Sequence, residues 1–156
     1  MSDWIGLPEN ITEEHLSIIY KITNKTTLKS YVGKCQLWST KKLPPLKSSG
    51  KTRKRKVTKP SNYLNYYGSS EELKKEVEQY GKDNYIREVL DIASCKWDAA
   101  YKELLYQIKY NVIQSDEFYN GILNVRLIKM PFKLRDSYKN LKVDIQFGHD
   151  TKELWK

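Results

Sequence analysis

The sequence predicts a small α+β domain, and three observations carry that prediction. Two short β-rich segments joined by a polar turn occupy residues 17–36. Two helical periods follow, near 70–80 and 97–112. Between them, residues 84–92 alternate as a strand does. At 156 residues the chain has the length of one domain and can bury a sizeable core.

Residues 1–16 read as an N-terminal packing arm. Trp4, Ile5 and Leu7 can dock onto the domain, and Thr12 can cap a single helical turn over Glu13–Leu16. The hairpin comes next. Ile18, Ile19, Tyr20 and Ile22 begin its first strand, Tyr31 and Val32 carry its second, and Asn24–Lys29 supply a polar turn. Tyr20 and Tyr31 stand eleven residues apart, one per strand, and Gly33 lets the backbone come close to a neighbour or a ligand. Taken alone, this is an ordinary edge hairpin whose tyrosines pack. Whether they do chemistry depends on the rest of the chain.

Residues 35–62 show neither a helical nor a strand period. They hold Pro44, Pro45, Pro60 and the basic run from Lys51 to Lys56, and they read as a loop. The net charge of +9 is concentrated here: residues 41–60 contain nine Lys or Arg and no acid, while the rest of the chain holds nineteen of each sign. A solvated basic run is one reading, and a flap that tracks phosphates on a nucleic acid is the other. The local excess favours the flap.

Ser69 or Ser70 can cap the next helix, with Glu71 and Glu72 in its first turn and Gly81 at its end. Leu73, Val77 and Tyr80 form its narrow core stripe. In the strand that follows, Leu90 and Ile92 are expected in the core, and Val89 suggests some burial of the opposite side, which it shares with Tyr85, Arg87 and Asp91. The strongest helix begins at Trp97. Ala100, Tyr101, Leu104, Leu105, Ile108 and Val112 continue a wide apolar stripe, expected to face the core. Its other face carries Glu103, Tyr106, Gln107 and Tyr110, a polar-aromatic stripe with one carboxylate at its head. Residues 116–127 look like a turn leading into a short strand. The tail from 128 suggests a short helix near 135–141 and a last strand near 143–147.

Composition narrows the class. Hydrophobic content is 39% with a mean hydropathy of −0.72, so the surface is very polar. No apolar run reaches the length of a membrane span, and Met1–Asn10 lacks the pattern of a signal peptide. Cys35 and Cys95 are expected as free thiols in a reducing compartment, the cytoplasm. With only His15 and His149 besides these cysteines, a His/Cys zinc site is not expected.

The order hairpin, basic loop, helix, strand, helix, turn resembles the GIY-YIG nuclease domain, and more narrowly its small phage-type, Seg-like homing endonucleases. Ile18-Ile19-Tyr20 is similar to the first signature, with Ile in place of Gly. Tyr31-Val32-Gly33, followed by Lys34, is similar to the second. Tyr67-Gly68-Ser69-Ser70, Tyr80-Gly81 and Glu88-Val89-Leu90 resemble later family motifs in the same order. Glu103 and Tyr106 match the family's metal-binding Glu-x-x-aromatic pattern, with Tyr110-Asn111 continuing it, and Tyr119-Asn120 matches its late Tyr-Asn pair.

The resemblance implies a central three-stranded, mostly antiparallel sheet flanked by helices. Residues 17–125 would form the nuclease domain, with 35–62 inserted as a basic loop and 126–156 as a C-terminal extension. It departs in one serious respect. The family's catalytic Arg, expected on a helix soon after the second motif, falls in the Pro-rich basic loop; Arg53, Arg55, Lys34 or a lysine of the Leu73 helix would have to stand in.

The activity implied is a Mg²⁺-dependent endonuclease, with Mn²⁺ able to substitute, acting on double-stranded DNA in the cytoplasm (of a host cell, if phage-encoded). A lone carboxylate can hold a Mg²⁺ that keeps most of its waters, and Glu103 is that candidate. Tyr20 would be the general base or would position the water, its phenol lowered by nearby positive charge, with Tyr31 as its partner. Lys34 would stabilise charge, and Asn120 would fix the helix or position a phosphate. Lys51, Arg53, Lys54, Arg55, Lys56 and Lys59, with Tyr67 and Ser69, are the expected nucleic-acid contacts. One site per chain implies a homodimer or two successive cuts for a double-strand break. Two other readings stand beside this one: a catalytically degenerate domain that binds nucleic acid through the loop, and a basic module that packs on an acidic protein.

Overall fold

The computed structural model describes residues 4–50, 52–123 and 126–139. In chain order its regular elements are strands β1 (Trp4–Ile5), β2 (Ser17–Asn24), β3 (Ser30–Gln36), β4 (Trp38–Leu43) and β5 (Arg55–Pro60), helix α1 (Glu71–Tyr80), strand β6 (Tyr85–Ala93), helix α2 (Lys96–Lys109) and the short helix α3 (Arg135–Tyr138). The α+β class holds.

β2 carries apolar side chains on both faces: Ile18, Tyr20 and Ile22 on one, Ile19 on the other. All four are fully buried. A strand of that kind belongs inside a sheet, and β2 pairs antiparallel with β3 on one side and β6 on the other. β1 adds a short parallel strand to the far side of β6, so the expected three-stranded sheet has a fourth member, in the order β1-β6-β2-β3. Trp4 anchors it, buried with its ring edge-on to Tyr20 at 5.3 Å. Two residues are too few for an alternation to show in the sequence.

The β2–β3 turn is held by Asn24, whose side-chain oxygen accepts from the backbone N–H groups of Thr26 (2.9 Å) and Thr27 (3.2 Å) and from Asn84 Nδ2 (3.0 Å). α1 begins where expected: Ser70 Oγ accepts from Leu73 N, Glu71 and Glu72 occupy the first turn, and Gly81, at φ 84°, ends it. Leu73 and Val77 are buried against the Tyr20 face of the sheet, in a core with Ile18, Ile22, Leu37, Tyr67 and Tyr85. Each fully buried large apolar side chain there contributes about 1.5–3 kcal/mol.

Other expectations change as well. First, residues 35–62 are not a structureless loop. β4 and β5 form a two-stranded antiparallel ribbon, from Trp38 opposite Pro60 to Leu43 opposite Arg55. Every residue of β5 is exposed, and with no buried face there is no alternation to read. Second, the register between β2 and β6 slips between Ile19 and Tyr20: Ile19 faces Asp91 and Tyr20 faces Val89. Leu90 is the extra residue of a bulge, which reverses the side chains on its two sides. Tyr85, Arg87 and Val89 therefore join Ile92 on the core face, and Leu90 does not.

Third, α2 is turned the other way. Its buried residues are Asp98, Ala99 and Gln107, so the polar-aromatic stripe faces the sheet. The apolar stripe is half-buried: Trp97 and Tyr101 pack on Tyr138, and Ile108 is exposed. The sheet face under α2 supplies the reason, because it is polar. Lys21, Lys34 and Asp91 lie on it, and the bulge leaves the Leu90 carbonyl to accept from the Tyr106 hydroxyl (3.2 Å). Fourth, Thr12–His15 is a turn closed by His15 N on Thr12 O (3.0 Å) rather than a helical turn.

Residues 116–120 do not extend into a strand. They clamp the outer edge of β3 through a single bridge at Phe118, with Ser30 N donating to Glu117 O and Tyr119 N donating to Ser30 O, both at 2.8 Å. α3 falls within the predicted 135–141 segment, and the strand expected near 143–147 lies outside the described residues. Among the described residues no helix is long and apolar enough to cross a membrane.

Candidate active site

The hairpin brings the two tyrosines together. Tyr20 pairs with Gly33 across β2–β3, and the rings of Tyr20 and Tyr31 lie 6.1 Å apart at 36°. Gly33 is what permits this. A Cβ at that position would lie 2.8 Å from the Tyr20 hydroxyl and 2.8 Å from Tyr31 Cε1, a separation real Cβ atoms do not tolerate.

The two phenols differ in environment. Tyr20 is fully buried, and its hydroxyl makes no hydrogen bond among the described residues; Tyr66 stands edge-on at 5.9 Å. Burial pushes the Tyr20 hydroxyl well above the usual tyrosine value, and the neighbouring Tyr66 and Tyr31 add to the rise. The expectation that local positive charge would lower this phenol is therefore overturned, because the basic residues lie on the exposed ribbon instead. Tyr31 is only partly buried, and its hydroxyl is 2.6 Å from Ser69 Oγ. Ser69 in turn lines a cavity of about 560 Å³, together with Cys35, Tyr66, Tyr67, Lys74 and Lys82. Burial also raises Tyr66, and it pushes the Cys35 thiol up to about 11.

Strand alternation sends the next residue the other way. Lys34 projects to the α2 side of β3 and forms an ion pair with Glu103 Oε2. Glu103 is largely covered, with its side chain 14% exposed, and its Oε1 accepts no hydrogen bond among the described residues. β3 thus carries Tyr31–Ser69 on one face and Lys34–Glu103 on the other. Asn120 spans the strand's outer edge between them. Its Oδ1 accepts from Val32 N (3.0 Å) and its Nδ2 donates to Val32 O (2.7 Å), so its amide substitutes for a neighbouring strand. Gln107 Nε2 donates to the same carbonyl at 3.2 Å. Its place one turn after Glu103 on the polar stripe is the signal that points to it.

The remaining site residues fall into two groups. Arg55, Lys56 and Lys59 are exposed on β5, Arg53 and Lys54 are exposed in the connection before it, and Lys51 lies outside the described residues. Tyr67 is not positioned as a nucleic-acid contact: it is buried, its ring stacked on the Arg87 guanidinium at 4.4 Å, because Arg87 enters the core and needs an aromatic cover. Of the cations considered for the missing family Arg, Lys74 on α1 lines the cavity beside Tyr31. A hydrogen bond to Glu71 raises it above the ordinary lysine value.

The donor set fits a hydrated Mg²⁺ rather than a caged ion. One carboxylate with an open oxygen is present, and no group of three His, Cys, Asp or Glu side chains gathers among the described residues.

A hairpin with facing tyrosines, a tight glycine between them, and a helix-borne glutamate paired to the following lysine make up the candidate site. Residues 4–123 match the family model described as "Putative endonuclease segE, GIY-YIG domain", and the chain belongs to that GIY-YIG endonuclease domain family. No curated protein matches it, and no solved structure does. The match begins at Trp4, so it takes in the arm that supplies β1.

Proposed function

We propose that the chain is a Mg²⁺-dependent endonuclease that hydrolyses phosphodiester bonds in double-stranded DNA, of the phage-type homing or DNA-degrading kind. The observation that supports this reading is that the single strand β3 carries both Tyr31, held by Ser69, and Lys34, paired to Glu103. It rests on membership of an endonuclease domain family.

Tyr31 takes the role that sequence reasoning gave to Tyr20. Its hydroxyl is accessible and oriented by Ser69, so it can position a water and, as the phenolate, take up the proton that water gives up on attack, becoming the neutral phenol. Tyr20 supports the Tyr31 ring from beneath. Lys34 supplies positive charge to the phosphate as negative charge builds on it. Lys74, beside the cavity, supplies a second cation where the family Arg is missing. Glu103 would hold Mg²⁺, which when bound supplies Lewis acidity at a phosphate oxygen. Asn120 keeps β3 in register and touches no reacting atom in this scheme.

Incubation of supercoiled plasmid with the protein tests this. Conversion to nicked or linear DNA in Mg²⁺, and none with EDTA, is expected. Plasmid that stays supercoiled in both Mg²⁺ and Mn²⁺, while still being bound, would favour a binding domain without catalysis.

A further inference from the structure

We infer that the β4–β5 ribbon is a DNA-reading element that enters the major groove of the duplex beside the scissile phosphate. It deepens the nuclease reading and rests on it for the substrate, but its test is binding rather than cleavage.

The ribbon has no reason to exist in terms of the fold alone. An isolated two-stranded hairpin is marginal in water, and β5 buries nothing. Lys42 faces Lys56 across one face of the ribbon and Lys41, Arg55 and Lys59 share the other, so like charge lies on both faces, an arrangement that costs free energy unless anions lie against it. No carboxylate side chain occurs between Glu14 and Glu71, so this chain segment supplies no such anion. Yet the ribbon is firmly rooted. Trp38 Nε1 donates to the carbonyls of Thr12 (3.2 Å) and His15 (3.1 Å), and Ser61 donates through N to Leu37 O (2.9 Å) and through Oγ to Gln36 O (2.5 Å). Its base follows β3 with one residue between, so the strand that carries Tyr31 and Lys34 also aims the ribbon.

Dimensions and side chains select the partner. A two-stranded ribbon fits the major groove of B-DNA, about 12 Å wide, and not the minor groove, about 6 Å wide. The major groove of A-form RNA is too narrow for it. Single strands are held on aromatic platforms, and the ribbon's one aromatic, Trp38, is committed at its root. Six residues per strand span about 20 Å, the length of five or six base pairs.

Alternation gives the ribbon two faces. Trp38, Thr40 and Lys42 share one with Pro60, Thr58 and Lys56, and Trp38 turns that face toward the domain at its root. The other face carries the cross-strand pairs Ser39–Lys59, Lys41–Val57 and Leu43–Arg55. A surface that only tracked phosphates would need nothing but charge. This one sets exposed Val57 beside Arg55, the pairing of an apolar contact for a thymine methyl with a bidentate donor for guanine.

The test is selection of bound duplexes from a random 30-base-pair pool, in EDTA so that nothing is cut. The wild-type protein is expected to enrich a motif of about five base pairs. The Arg55→Ala/Val57→Ala variant is expected to lose at least tenfold more affinity for that motif than for the starting pool, with an unchanged circular dichroism spectrum. Methyl green, which fills the major groove, should displace the protein, and netropsin, which fills the minor groove, should not. Enrichment of the same motif by wild type and variant, no enrichment by wild type, or displacement by netropsin alone would each overturn the inference. Plasmid cut in Mg²⁺ with the variant's motif unchanged would sink the ribbon and leave the nuclease standing; groove-dependent binding without cutting would do the reverse.

Discussion

Gly33 stands opposite Tyr20 in the β2–β3 ladder, so close that a Cβ at position 33 would lie 2.8 Å from the Tyr20 hydroxyl. The Tyr20 ring is locked in the core between Trp4 and Tyr66 and cannot give way. Gly33→Ala is therefore expected to destabilise the fold by about 1–3 kcal/mol, the usual cost of overpacking, and to reduce DNA cleavage. Urea unfolding checks the first effect; an unchanged midpoint would show that the tyrosines are not packed this tightly.

The two tyrosines separate structure from chemistry. Tyr20→Phe removes a buried hydroxyl that has no hydrogen-bond partner among the described residues. It should leave stability unchanged or raise it by up to about 1 kcal/mol, with cleavage largely retained. Tyr31→Phe should fold normally and lose roughly 10²–10⁴-fold in rate, the size of a proton-transfer contribution. Thermal melts and plasmid cleavage on both variants measure this, and the opposite ranking would return the base to Tyr20.

Asn120 serves the edge strand. Asn120→Ala removes the acceptor of the Val32 N–H and one of the donors to the Val32 carbonyl, to which Gln107 still donates. A loss of about 1–3 kcal/mol is expected, with faster hydrogen exchange at the Val32 amide. If the variant melts and exchanges like the wild type but fails to cleave, Asn120 acts on the substrate instead.

Alkaline stability follows from the buried acids. Burial raises Tyr20 and Tyr119 above the ordinary tyrosine value, Tyr85 to about 12, and Cys35 to about 11. Each loses its proton more readily in the unfolded chain than in the folded one. Their contribution is complete below the unfolded values, 9.0 for the thiol and 10.0 for the phenols, and is lost as pH rises toward the folded values. Stability should be flat through neutrality and fall from about pH 9 upward, by at most about 1.4 kcal/mol per pH unit for each titrating group. Urea midpoints between pH 7 and 11 test it; a rise over that range would contradict the sign.

Much of the fold is legible in the sequence where an apolar run or a regular period stands between clear turn or cap residues. The β2–β3 hairpin, α1 with Ser70 and Gly81 at its ends, and the position of β6 are of that kind. What cannot be read has physical reasons. The β4–β5 ribbon buries neither face, so hydrophobicity carries no trace of it. The Leu90 bulge inverts β6 by one residue, and a bulge leaves no mark in an alternating run. α2 has two stripes, and which one meets the sheet is decided by groups on the partner: the Val32 and Leu90 carbonyls and Lys34 require Gln107, Tyr106 and Glu103. The pairing of Lys34 with Glu103 depends on that choice, so the residues were visible beforehand and their contact was not.

The most direct test of the nuclease reading is plasmid cleavage by Glu103→Gln in Mg²⁺. This substitution keeps the side-chain shape and removes the charge that pairs with Lys34. The account predicts a fall in cleavage of roughly 10²–10³-fold, with the melting temperature and duplex affinity close to those of the wild type. Cleavage at the wild-type rate by a folded Glu103→Gln protein would contradict it.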